Sequence, residues 1–202
     1  METGFLFTTW QMIVSPGLTV KNFIDGKRRK YQKPVSFLLI WIAVYVLLLL
    51  FIEKVFGNET VLYRSKYFGT YSATQFAAHY LSVVLGALLP FYSLYLYLLC
   101  MKKYYNYFES FVAILYGHGI VLLTQVLFTL FAITVYLFSG HGLDVNLSDS
   151  LKVVYITWFC YKLVGQYDIN HRWWRVIGFM TLCLASFYVW RMFGFPLLAN
   201  LH

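Results

Sequence analysis

Charge is scarce in this chain. Only 12% of its 202 residues are charged, and eight Asp and Glu stand against sixteen Lys and Arg. A soluble domain carries about 25% charged residues, so an ordinary solvent-covered surface is excluded. Cysteine is nearly absent as well: Cys100, Cys160 and Cys183 all fall in apolar segments, at spacings that fit no metal site and leave one unpaired. That excludes a disulfide scaffold and leaves three buried thiols. The catalytic spacings H-E-x-x-H, G-x-S-x-G, G-x-x-x-x-G-K-[ST] and G-x-G-x-x-G are missing, as is an Arg followed four to six residues later by His. No enzyme, cofactor or metal is expected from what remains.

What is abundant is apolar and aromatic: 60% and 21% of residues, with a mean hydropathy of +0.65. Apolar stretches at 35–52, 73–101, 108–138 and 151–165, with a last one ending near Trp190, predict an all-α polytopic membrane bundle of about five transmembrane helices. Ahead of them, residues 1–15 have no basic start and no small-residue cleavage site, so they do not read as a signal peptide. Leu6, Phe7, Trp10, Ile13 and Val14 cluster on one side of a helical wheel, which predicts a short interfacial helix. The organisation expected is an interfacial amphipathic and basic segment over 1–33, followed by a transmembrane helical domain over 34–202.

The junction at residues 16–34, PGLTVKNFIDGKRRKYQKP, holds Lys21, Lys27, Arg28, Arg29, Lys30 and Lys33, six of the sixteen basic residues. Read as a helix, it puts Val20, Phe23, Ile24 and Tyr31 on one side and Lys21, Asp25, Arg28 and Arg29 on the other. Lys27 then falls inside the apolar stripe, its stem along the acyl boundary and its ammonium reaching outward. Asp25 precedes Arg29 by four residues, a helical pairing worth a few tenths of a kcal/mol. Two readings stay open: a surface for anionic lipid or another polyanion, and a topogenic signal. Lys102 and Lys103, in the basic, tyrosine-rich turn between the second and third apolar segments, belong with the same face. With the N-terminus in the cytoplasm, Lys162, Arg172 and Arg175 join those eight residues, giving eleven basic residues inside against five outside.

Gly4, Phe5, Thr8, Pro16, Gly17, Phe23, Ile24, Gly26, Lys27, Arg28, Tyr31 and Pro34 together resemble the opening block of a functionally uncharacterised family of small bacterial multi-pass membrane proteins. The resemblance implies an inner-membrane location and a first span after Pro34. Many members carry a zinc ribbon ahead of the block, and this chain has none. Leu89-Pro90, the turn Lys102-Lys103-Tyr104-Tyr105 and Glu109 are similar to the family's second block, in which two His follow the glutamate. Ser110 and Tyr116 stand there instead, so no His-dependent metal or proton role is implied. Tyr155, Tyr161 and Tyr167 fit the last block. In size and topology the chain is also similar to the multi-pass accessory proteins encoded beside RNA-guided, RNA-targeting CRISPR effectors, which implies a place in antiviral defence.

Polar groups inside the apolar segments are the remaining candidates. Gln75 and His79 share one helical face, and His118 and Gln125 another. They read either as an intramembrane polar path or as interhelical hydrogen bonds. The function expected is a non-enzymatic inner-membrane accessory protein whose basic cytoplasmic face engages anionic lipid or a cytoplasmic protein or nucleoprotein, without binding nucleic acid directly. The alternative is a homo-oligomeric pore, channel or small transporter, its close helix contacts made at Gly86, Ala87, Ala113 and Gly117.

Overall fold

The computed structural model describes residues 4–56, 63–64, 87–141, 143–167 and 172–189. Seven helices make up nearly all of this: α1 (Phe5–Val14), α2 (Pro16–Ile24), α3 (Pro34–Phe56), α4 (Ala87–Met101), α5 (Tyr107–Ser139), α6 (Val145–Val164) and α7 (Arg172–Val189). A two-residue parallel pairing of Tyr63–Arg64 with Leu143–Asp144 is the extended exception.

The boundaries follow local chemistry. Pro16 and Pro34 open α2 and α3 at the first helical position, where the missing N–H costs nothing. The Asn106 N–H donates to the Glu109 carboxylate at 2.7 Å, completing a capping box that starts α5. Gly140, at φ 69°, ends α5 in the left-handed conformation. The last turn of α4, Tyr97–Met101, widens to π-helix, and the Arg175 guanidinium donates to the Leu99 carbonyl there at 2.8 Å.

The expected helix from Val20 through Tyr31 is not formed. α2 stops at Ile24, where the Lys27 N–H reaches back to the Asn22 carbonyl (2.9 Å) and Gly26 N–H to Phe23 (3.3 Å), with Gly26 at φ 98°. These two bonds are a Schellman closure, which only a residue free to adopt positive φ completes without strain. A single 3-10 turn, Arg28–Lys30, follows, so Asp25 and Arg29 never share a helix and Tyr31 reaches its neighbours from extended backbone. Lys27 does not lie in an apolar stripe; its ammonium donates to the Asn22 side chain at 3.0 Å.

α3 and α5 pack side by side in the same direction. Phe37 lies 5.6 Å from Tyr116 near their starts, and Phe56 lies 5.9 Å from Tyr136 near their ends, measured between ring centroids. α6 runs back against α5: its Phe159 ring covers Gly117, and Ser148, nearer its start, donates to Gln125 at 2.7 Å. α4 joins through Tyr92, stacked on His118 at 5.5 Å, and α7 joins α4 through Ser186 and Tyr95 at 3.0 Å. Met12 and Val20 of the first two helices share one core with Phe37, Tyr116, Phe159 and Phe179. The ends of α2, α4 and α6 and the starts of α3, α5 and α7 therefore gather at one end of the bundle.

Among the described residues two helices are long and apolar enough to cross a membrane, α3 with 23 residues and α5 with 33, not about five. The predicted fourth and fifth spans fall short because of how they begin. α6 starts six residues earlier than the expected 151, with Asn146, Ser148, Asp149, Ser150 and Lys152 in its opening turns, and α7 opens on Arg172 and Arg175. The first part of the predicted second span, 73–86, lies outside the described residues.

Gly17 is where the bundle is tightest. A Cβ there would meet the Lys162 carbonyl carbon at 2.7 Å and the Leu163 nitrogen at 2.9 Å, both backbone atoms that cannot rotate away. Gly17→Ala is expected to destabilise the folded protein by about 1–3 kcal/mol, read as a lower unfolding midpoint in detergent. Gly178→Ala, whose nearest neighbour is 3.8 Å away, should leave that midpoint near the parent value.

Candidate functional site

The basic turn is held by a knot of contacts around the fully buried Thr8. Its hydroxyl donates to the Gly4 carbonyl at 2.8 Å and accepts the Gln32 N–H at 2.7 Å. The Gly4 N–H in turn donates to the Lys30 carbonyl at 3.2 Å, closing α1 onto the end of the 3-10 turn. Tyr31 packs on Phe7 at 5.7 Å and accepts from the Asn22 amide at 3.4 Å. Two tyrosines from outside the knot complete it: Tyr116 of α5 donates to the Gln32 carbonyl, and Tyr155 of α6 donates to the Met12 carbonyl at 3.3 Å. With the backbone satisfied in this way, Lys27, Arg28, Arg29, Lys30 and Lys33 all remain exposed. The turn is therefore a fixed presentation of charge, and the Arg28 guanidinium rests over the Phe23 ring at 5.8 Å.

A brace of tyrosines ties the second set of cations to the first. Lys21 of α2 lies over the Tyr167 ring at 5.2 Å, Tyr167 packs on Tyr104 at 4.7 Å, and Lys103 lies over Tyr104 at 5.6 Å. The hydroxyls of Tyr167 and Tyr105 are hydrogen-bonded to each other. Burial, that bond and the nearby carboxylates of Asp25 and Glu109 hold the Tyr105 phenol far above its ordinary range, and burial raises Tyr167 too. Both rings stay neutral at physiological pH, which keeps their faces attractive to the ammonium groups. Beside the brace, Arg172 lies over Tyr161 at 5.6 Å, and Tyr161 stacks on Trp173 at 4.4 Å.

The structure thus brings Lys21, Lys27, Arg28, Arg29, Lys30, Lys33, Lys102 and Lys103 to one end of the bundle. The intramembrane candidates divide differently. Gln75 and His79 lie outside the described residues. His118 has Nδ1 3.1 Å from the Ile114 carbonyl, and Gln125 accepts from Ser148, so both are engaged within the chain. Glu109 caps its helix, while Ser110 and Tyr116, both fully buried, face the packed interior. Among the described residues no group of three His, Cys, Asp or Glu is placed to hold a metal ion, and the three cysteines are free. Sequence reasoning missed Thr8 as the centre of the knot and Tyr167 as the link between Lys21 and the turn; the recurrence of tyrosine at 104, 105, 161 and 167 was the available signal.

Fold and site together define a helical protein with, among the described residues, two helices of membrane-crossing length and one strongly cationic, tyrosine-braced end. A family model described as a protein of unknown function (DUF3667) matches residues 2–46, the knot and the first half of α3. No curated protein and no solved structure matches the chain.

Thr8→Val removes the acceptor of the Gln32 N–H while keeping the side chain's volume. The expected cost is about 1–3 kcal/mol for the unpaired donor, and Thr8→Ser should recover most of it. Thermal unfolding of the three proteins in detergent makes the comparison.

Proposed function

We propose that this is a non-enzymatic, multi-pass inner-membrane accessory protein whose cationic end lies at the cytoplasmic face and engages anionic phospholipid headgroups. The observation that carries the reading is the exposed set Lys27, Arg28, Arg29, Lys30 and Lys33, on a backbone pinned by Thr8 and Tyr116, at the same end as Lys102 and Lys103. Lys and Arg near an anionic leaflet contribute about 1 kcal/mol each, screened over a Debye length of about 8 Å. A fixed cluster concentrates that attraction on one side.

The membrane half of the reading rests on how α3 meets its surroundings. Only 28% of its most apolar stretch is buried, and Val35, Leu39, Leu47, Leu50 and Phe51 are exposed. A core helix of a soluble protein would be covered, whereas a helix in hydrocarbon needs no cover. In the proposed arrangement α4, α6 and α7, which fall short of α3 and α5 in length or apolarity, cross alongside them, giving five spans with the C-terminus outside. Trp173 and Trp174, exposed beside Arg172 and Arg175, then anchor α7 at the headgroups. The pore reading has no comparable support, since His118 and Gln125 are engaged inside the chain.

Two measurements test this reading. Reporter fusions after residue 202 and within the turn at 102–107 should report opposite sides; the same side at both would sink five spans. Protein reconstituted in zwitterionic bilayers with a trace of dansyl-labelled phosphatidylglycerol should gather the labelled lipid, read by energy transfer from tryptophan. Replacing Lys27, Arg28, Arg29 and Lys30 with Gln should abolish most of that enrichment, as should added salt, while equal enrichment in the variant leaves only a topogenic role.

A further inference from the structure

α1 is amphipathic the wrong way round for a helix packed on a water-soluble protein. Its inward face is Phe5, Thr8 and Met12, with Thr8 and Met12 fully buried. Its apolar stripe points outward: Leu6 is 80% exposed, Trp10 62% and Val14 54%, with Ile13 between them. Positions 6, 10, 13 and 14 fall on one side of a helix, so this is a continuous face and not a scatter of exposed residues.

Its depth can be read from α3. Phe5 packs on Phe37 at 5.6 Å and on Trp41 at 5.3 Å, three and seven residues after Pro34. At 1.5 Å per residue these lie about 5–10 Å below the start of α3. That is the depth, about 5–10 Å, at which interfacial helices seat their apolar face beneath the headgroups. In the same turns of α3, Val35 and Leu39 are exposed on the side away from Phe5. The cationic turn is tied to the start of α1 by the Gly4–Lys30 bond, so charge for the headgroups and apolar side chains for the acyl region are joined through one backbone contact.

We infer that α1 is an in-plane helix seated in the cytoplasmic leaflet, and that α1 and the turn Arg28–Lys30 form one docking surface for anionic phospholipid, acyl chains against Leu6, Trp10 and Val14 and phosphate against the cations. This deepens the reading above and rests on it. The occupant is the lipid itself, because a soluble polyanion would meet the cations and leave the apolar stripe uncovered. Tyr155, bonded to the Met12 carbonyl, fixes the far end of α1 to α6 and keeps the stripe turned outward.

The test uses the full chain reconstituted in zwitterionic bilayers, where no charge attraction is needed, and follows Trp10 as the difference between the parent protein and Trp10→Phe. Phospholipids brominated near the top of the acyl chain should quench most of the Trp10 emission, those brominated at the chain end should quench less, and aqueous iodide should quench little. Leu6→Trp in the Trp10→Phe background gives a second probe on the same stripe and should behave alike. Quenching by iodide and not by bromolipid would overturn the inference, since the stripe would then face water. Protection from both would overturn it too, since a second copy or another protein would then cover α1. Enrichment of labelled phosphatidylglycerol is read separately, so loss of the charge effect with bromolipid quenching intact would refute the headgroup reading and leave the seated helix standing.

Discussion

The hydroxyl of Thr8, bonded at once to the Gly4 carbonyl and the Gln32 N–H, is the contact through which the cationic turn becomes a fixed object. Residues 25–33 form no helix or sheet beyond a single 3-10 turn, and a chain without regular structure must find partners for its backbone elsewhere. Water would supply them in a soluble loop. Here the turn abuts an apolar bundle, and Thr8, Gly4 and Tyr116 supply them from α1 and α5. Because the Lys30 carbonyl and both backbone groups of Gln32 are bonded to protein, the turn is pinned to the bundle while its cationic side chains stay exposed.

The same economy appears at the other helix ends of this face. A π-turn closes α4 and leaves the Leu99 carbonyl to Arg175, while Lys21 and Lys103 lie over tyrosine rings and, among the described residues, pair with no carboxylate. With eight acidic residues against sixteen basic ones, charges of opposite sign are too few to neutralise such an end. Aromatic faces cover four of its cations, Lys21, Arg28, Lys103 and Arg172, without cancelling their charge, so the end remains positive and still packs. The ion pair Lys152–Asp149, at 2.9 Å, lies near the start of α6, away from this end.

Helix positions were readable where hydrophobicity was uniform. The stretch at 108–138 became α5 within one residue at each end, because a long apolar run bounded by Asn106 and Gly140 admits little else. The fourth segment was read six residues short, because Asn146, Ser148 and Asp149 look like a loop until the Ser148–Gln125 bond gives them a reason to be helical. The break at Gly26 was missed for a related reason: helical periodicity from Val20 to Tyr31 was counted across a glycine that a Schellman closure was already using. The gathering of Lys21 with Lys102 and Lys103 could be expected from side-counting alone. The tyrosines that achieve it could not, since contacts between residues 21, 104 and 167 carry no periodic signal.

A stretch that closes on itself bears on why the family match covers residues 2–46. The bonds Gly4–Lys30, Thr8–Gln32 and Asn22–Tyr31, and the packing of Phe5 on Phe37 and Trp41, all lie inside that range. The rest of the chain packs Tyr116 on Phe23 and Phe37 and sets Tyr167 under Lys21, and it reaches the backbone of this stretch through Tyr116 on Gln32, Tyr155 on Met12, and the α6 backbone against Gly17. Two are single side-chain donors to backbone carbonyls, indifferent to the identity of the residue that accepts them. The third asks only that one residue be small. Such backbone contacts hold the stretch against α5 and α6 while asking little of the identity of the residues they meet. Thr8, Gly17 and Gly26, whose identity these contacts require, all lie within the matched range 2–46.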